Sequence, residues 1–237
     1  LAAGSVQEVM DLTAVSHLSA IKASIPFLNF FDGFRTSHEI QKIDVLEYDD
    51  LAKLVDYDAL ARFKARAMNP EHPFQKGTAQ NPDIFFQAKE AANKFYTVIP
   101  DIVESYMQEI KKLTGREYHP FNYYGAPDAE NVIVAMGSVC QAIEETVDYL
   151  NARGEKTGVV EVHLYRPFSE KYFFDVLPAS VKRIAVLDRC KEPGALGEPL
   201  YEDICALFKD KPVKPLVVGG RYGLGSKDTI PTHIKAV

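Results

Sequence analysis

The 237 residues, 46% hydrophobic and 25% charged, are long enough for two modest domains with packed cores. A formal net charge of -6, with acids spread along the chain, leaves no basic face for phosphate backbones or anionic lipid, so neither nucleic-acid nor membrane partners are expected. Cys140, Cys190 and Cys205 form no C-x-x-C pair, the pattern of reduced structural thiols, and no apolar run approaches the ~20 residues that cross a bilayer; a cytoplasmic location is the expectation.

The chain lacks an initiator Met and enters helical spacing at once, so it is expected to begin inside a domain. Val6, Val9, Met10, Thr13, Ala14, His17, Leu18 and Ile21 recur at helical intervals and predict a helix lying on a sheet. "SIPFLNFF" then reads as a buried strand, because it is short, aromatic and bounded by Pro26 and Gly33. Two short amphipathic helices are predicted within "DVLEYDDLAKLVDYDALARFKARAM". The stretch "NPEHPFQKGTAQNPDIFF" carries three prolines and a glycine and reads as a long irregular excursion. A connecting helix follows over Phe95 to Leu113, with Pro100 suited to its first turn, Lys111 and Lys112 to its last, and Gly115 just beyond.

After "GREYHPFNYYGAPDAE" the rhythm changes. "NVIVAMGS", "TGVVEVHLYRP" and "VKRIAVLDR" alternate with helical stretches, and "KPLVVGGR" closes the series, the signature of an open parallel α/β sheet with right-handed crossovers.

The loop "NFFDGFRTSHEIQKID" leaves the carboxyl end of a predicted strand, where open α/β sheets place ligand-binding residues. Arg35 could hold a carboxylate or phosphate with its planar fork, and His38 could move a proton near neutral pH. The same stretch also suits a turn at Asp32-Gly33, a cap at Thr36 or Ser37 and an acid, Glu39, in a first helical turn. "GGRYGLGSK" resembles a phosphate-cradling turn without being a P-loop, and a structural or interface loop is the better reading. Ser138 starts a helix directly after a strand. Cys140, near a helix start, has no His or second Cys nearby in sequence and reads as an inert buried thiol. The six histidines show no ligand spacing, and no carboxylate pair can be assigned from spacing, so no metal site and no catalytic residue is assigned.

Longer strings carry more. "PFLNFFDGFRTSHEIQKI", "MNPEHPFQKGTAQNPDIFFQ", "FNYYGAPDAENVIVAMGS", "LYRPF", "LDRCKEPGALGEPLYEDI" and "GRYGLGSKD" closely resemble the pyruvate:ferredoxin (flavodoxin) oxidoreductase family, in the family's order and over essentially the whole chain. The resemblance implies an α/β architecture: residues 1–95 as the later part of a thiamine-enzyme pyrimidine-binding domain with a partial sheet, 96–118 as a connecting helix and linker, and 119–237 as an open, mainly parallel, transketolase C-terminal-like α/β domain. It further implies an enzyme that oxidatively decarboxylates pyruvate to acetyl-CoA and CO2 with thiamine diphosphate, magnesium and iron–sulfur clusters, as a homodimer that reduces ferredoxin or flavodoxin and uses CoA. This chain would be an internal segment, inactive alone and dependent on the remaining domains, because "FDGF" lacks the leading glycine and the downstream asparagines of a thiamine-diphosphate motif and the cluster cysteines are absent. Cofactor-binding residues are therefore expected elsewhere, and Arg35 and His38 are the substrate-contact candidates here. The alternatives are a stand-alone anion-binding or assembly module, with Ser138, Arg166, Asp188 and Gly223 to Gly225 at its strand ends, and another 2-oxoacid:ferredoxin oxidoreductase.

Overall fold

The computed structural model describes residues 1–73, 77 and 79–237. Two α/β units share the chain. The first opens with β1 (Ala2–Ala3) and the 18-residue helix α1 (Val6–Ala23), which starts in a Ser5-x-x-Glu8 capping arrangement: the Ser5 hydroxyl accepts from the Glu8 amide at 3.2 Å, and the Glu8 carboxylate accepts from the Gly4 amide at 2.6 Å. The expected helix is present with a different inner face. Asp11, Leu12, Val15, Ser16, Leu18 and Ser19 are buried, whereas His17 faces solvent.

"SIPFLNFF" forms far less strand than predicted. Only β2 (Phe30–Phe31) pairs, in parallel with β1, and Leu28 is exposed. Its partner is two residues long and Pro26 has no N–H to give a ladder, so apolar content alone could not extend the pairing. Helices α2 (Tyr48–Leu54) and α3 (Tyr57–Ala65) fall where the acidic amphipathic stretch placed them. Of the irregular excursion, 74–76 and 78 lie outside the described residues, and its end is already helical, in α4 (Pro82–Ala91). The connecting helix is split into α5 (Asn93–Thr97) and α6 (Ile99–Thr114), the latter with Pro100 in its first turn and Gly115 as its cap. Ile99, Val103, Tyr106, Met107 and Ile110 share the buried face of α6 and pack against Leu12, Val15 and Leu18 of α1, which makes one core of the two helices.

The second unit is a five-stranded sheet of β3 (Phe121–Gly125), β4 (Asn131–Ala135), β5 (Thr157–Val162), β6 (Arg183–Asp188) and β7 (Leu216–Arg221), in the order β3-β5-β4-β6-β7. Only β3 runs antiparallel. Alternation with period two then divides the core. Val132, Val134, Val160, Val162, Ile184 and Val186 face α8 (Glu170–Val176) and α9 (Pro199–Phe208), where Phe173 meets Phe121, Phe174 and Phe208 edge to face. Ala135, Val159 and Leu187 face α7 (Val139–Asn151) and α10 (Pro231–Lys235) through Cys140, Ile143, Val147 and Ile234. Among the described residues no helix is long and apolar enough to cross a membrane.

Phe173 is fully buried at the centre of the aromatic cluster. Phe173→Ala is expected to cost about 3–5 kcal/mol through lost transfer energy and the cavity left behind, read as a lower denaturant midpoint at unchanged slope.

Candidate functional site

β4 leads to β5 on one side of it, and β6 lies on the other, so the strand order reverses between β4 and β6. A crevice at the carboxyl ends of strands at such a reversal is where open α/β sheets hold ligands. Here the chain's own Asp32, carried in by the loop after β2, fills it. Asp32 Oδ2 accepts from the Ser138 amide at the start of α7 (2.6 Å), and Asp32 Oδ1 accepts from Arg189 Nη1 just after β6 (2.6 Å). Arg189 Nε also donates to the Gly223 carbonyl beyond β7 (3.4 Å), so one guanidinium ties the ends of two strands to the first unit.

The local sequence permits this approach. Gly137 follows β4 with φ +81°, and a Cβ there would stand 2.8 Å from Asp32 Oδ2. The amides and the dipole at the start of the 13-residue α7 favour a negative charge, and the carboxylate of Asp32 supplies it. The two side chains are only 14% and 23% exposed, so loss of either partner strands a largely buried charge.

A second cluster lies close by and is more deeply buried. Glu161, near the end of β5, and His163, just past it, point to the same face of the sheet and meet Glu8 from α1. His163 is 2% exposed; its Nδ1 donates to the His119 carbonyl (3.1 Å), and its Nε2 lies 3.4 Å from Glu8 Oε2 and 3.7 Å from Glu161 Oε2. Burial works against a charge on the imidazole, but the carboxylates of Glu161 and Glu8 outweigh it and push its pKa up to about 9. Burial raises Glu161 to about 7, with Glu8 and Glu144 adding repulsion. Glu8 is held below the usual carboxylate range against its own desolvation, by His163 and by the Gly4 amide and Ser5 hydroxyl. Cys140 is raised well above an ordinary thiol, first by burial and then by Glu161 and Glu8, which agrees with an inert thiol. Gly4 closes the cluster from above, where a Cβ would come within 2.8 Å of Glu161 Oε1.

A third network joins α1 to the segment after α6. Buried Asp11 accepts from Arg116 Nε (2.6 Å) and Nη2 (3.1 Å) and from the Tyr118 hydroxyl (2.8 Å). The Ala2 amide also donates to the His163 carbonyl (2.8 Å), which links the two units through backbone.

The His38 amide donates to the Arg35 carbonyl (3.2 Å), but the two side chains have different partners. Arg35 pairs with Asp228 and donates to the Ser226 carbonyl (3.2 Å), with side chains 45% and 75% exposed, and lines a cleft of about 240 Å3 with Ser138, Arg189, Tyr222 and Lys227. His38 is exposed, stacks on Phe34 with ring centroids 5.2 Å apart, and shares Nδ1 with the Ser37 hydroxyl (2.8 Å). The other strand-end residues have partners within the chain. Asp188 accepts from the Leu200 and Tyr201 amides (3.1 Å each) and so caps α9, and Arg166 pairs with Asp203 (2.7 Å). The glycine-rich loop after β7 receives both Arg35 and Arg189, as an interface loop would. The Glu8, Glu161 and His163 atoms that could hold a metal ion lie within 4.8 Å of one another, and His163 Nε2 among them is buried without a hydrogen-bond partner.

Sequence reasoning located the loop from Asp32 but missed what it docks on, and it missed the buried triad entirely. The signal for the triad was present in "VVEVHLY", where Glu161 and His163 occupy same-face positions of an otherwise apolar strand.

Removal of the Asp32 carboxylate leaves Arg189 and the start of α7 without their partner. Asp32→Ala is expected to cost about 2–4 kcal/mol. In a double-mutant cycle with Arg189→Ala, denaturant unfolding should give a coupling of about 1–3 kcal/mol, while a coupling near zero would place the two groups in independent environments.

Two family models match separate stretches of the chain. Residues 1–108 match the family model described as pyruvate flavodoxin/ferredoxin oxidoreductase, thiamine diphosphate-binding, and residues 129–234 match that of pyruvate:ferredoxin oxidoreductase core domain II. The chain is 66% identical over its full length to a pyruvate-flavodoxin oxidoreductase of Enterobacter agglomerans and 63% identical to a pyruvate:ferredoxin oxidoreductase of Moorella thermoacetica, covering 20% of each. A solved 2-oxoglutarate:ferredoxin oxidoreductase from Magnetococcus marinus superposes with a TM-score of 0.37 at 18% identity, over 61% of this chain and 22% of that one. The chain therefore spans about a fifth of the length of its curated relatives, and it belongs to the pyruvate flavodoxin/ferredoxin oxidoreductase family.

Proposed function

We propose that this chain is the paired-domain segment of an enzyme that oxidatively decarboxylates pyruvate with CoA to acetyl-CoA, CO2 and two electrons, the electrons passing to ferredoxin or flavodoxin. The observation that carries the reading is the end-to-end likeness to such enzymes, with two of their family models in tandem. In the intact enzyme thiamine diphosphate would serve as the electron sink at the keto carbon. Magnesium, iron–sulfur clusters, a homodimer and a cytoplasmic location belong to the same proposal.

The residues present do not fit the diphosphate of that cofactor at the β4/β6 crevice. The Ser138 amide and the Arg189 guanidinium, which would hold an anion there, are committed to Asp32, and the neighbouring carboxylate of Asp188 is committed to α9. The segment's own role is then architectural: its carboxylates fix one unit against the other, and the cofactor contacts come from the remaining domains. The division at residues 95 and 118 is part of this proposal. The filled crevice also weighs against a stand-alone anion-binding module.

Arg35 is the proposed anion contact of this segment, with His38 as a polar neighbour. Its partner Asp228 is itself exposed, so a substrate carboxylate could take that partner's place at small cost. In the full-length enzyme, Arg35→Ala is expected to raise the KM for pyruvate several-fold at unchanged Tm; normal kinetics with a lowered Tm would make Arg35 a docking residue only. Calorimetric titration of this chain with thiamine diphosphate and magnesium should give no binding heat, and saturable binding would overturn the assignment of the cofactor contacts to other domains.

A further inference from the structure

The buried cluster of Glu8, His163 and Glu161 does not belong to the Asp32 crevice and draws its members from both units. Glu8 comes from the first turn of α1, Glu161 and His163 from the end of β5, and the Ala2 amide closes on the His163 carbonyl beside them. With Nδ1–H committed to the His119 carbonyl, a neutral imidazole would turn the Nε2 lone pair toward two carboxylates, with no donor between them. A proton on Nε2 places a positive charge 3.4 Å from Glu8 and 3.7 Å from Glu161, an attraction of charges, since Nε2 makes no hydrogen bond.

We propose that Glu8, His163 and Glu161 form a proton-dependent latch between the two units, in which one buried imidazolium holds the start of α1 against the end of β5 and its deprotonation releases them. Glu144 and Cys140 face the cluster from α7 and add negative potential when ionised; Tyr118 lies edge-on to the ring at 5.9 Å, and its hydroxyl is held by Asp11.

The direction in pH follows. A histidine whose pKa is raised on folding stabilises fully below its ordinary value of 6.5, and that contribution is lost as pH climbs toward about 9. Ionisation of Glu161 between 4.5 and about 7 withdraws stability in the same direction. Glu8, whose pKa is lowered, has the opposite sign and loses its contribution only in acid.

The test is amide hydrogen exchange on the whole chain between pH 6.5 and 9, with proton NMR of the His163 ring alongside. Protection of the Gly4 and Leu164 amides, corrected for intrinsic exchange, should fall by up to roughly tenfold per pH unit, the limit for one linked proton. The ring should titrate well above 6.5, and Glu161→Gln should move that midpoint down. His163→Arg, which keeps a charge at every pH, should flatten the profile. A flat wild-type profile, an unchanged slope in His163→Arg, or a ring midpoint at or below 6.5 would overturn the latch. So would a divalent metal retained by the chain at one equivalent with the ring neutral. The ring titration is made on the wild-type chain and does not depend on any variant folding.

Discussion

The carboxylate of Asp32 in the crevice between β4 and β6 is the interaction on which the arrangement of the two units turns. A parallel α/β sheet creates a place at its strand reversal where helix amides and a nearby cation seek a negative group. Most such sheets leave this place for a ligand. In this chain a side chain of the preceding unit takes it, donors within hydrogen-bond distance on both sides, so the site's affinity for an anion is converted into docking. Gly137 is the residue that admits it, since any side chain there would collide with the carboxylate.

Around that contact the junction holds several buried polar groups. Asp11 is fully enclosed and receives three donors from Arg116 and Tyr118, and His163 is enclosed between two carboxylates. Groups of this kind are costly to bury and add little net stability over apolar packing, but each leaves a severe penalty if its partner is displaced. Register between the units is what such groups supply: α1 cannot slide along the sheet without stranding Glu8, Asp11 or both. On the proposed architectural role, a fixed placement of the two units would let groups from other domains meet them in constant geometry.

The sequence made the second unit legible because period-two apolar runs and helical stripes alternate there without ambiguity, and β4 to β7 fall on the four strings that carried the pattern. Strand β3 was not among the predicted strands, since "FNYYG", with two polar-tipped tyrosines and a glycine, shows no apolar run. In the first unit, "SIPFLNFF" has strand composition but little to pair with, and composition does not report the partner. The chemistry was least legible where it depends on distance along the chain. Asp32 is 106 residues from Ser138 and 157 from Arg189, so local pattern could show only a turn at Asp32-Gly33. Long strings in family order supplied what spacing could not, namely which enzymes the chain resembles.

The claim that Asp32 is the crevice's built-in anion is tested most directly by NMR titration of inorganic phosphate into the wild-type chain and into Asp32→Ala. The wild-type amides of Gly137 to Cys140 should remain unmoved at millimolar phosphate, and the variant should show saturable shifts at those amides together with the Arg189 side chain. Equal shifts in both, or none in the variant despite a retained fold, would contradict the account.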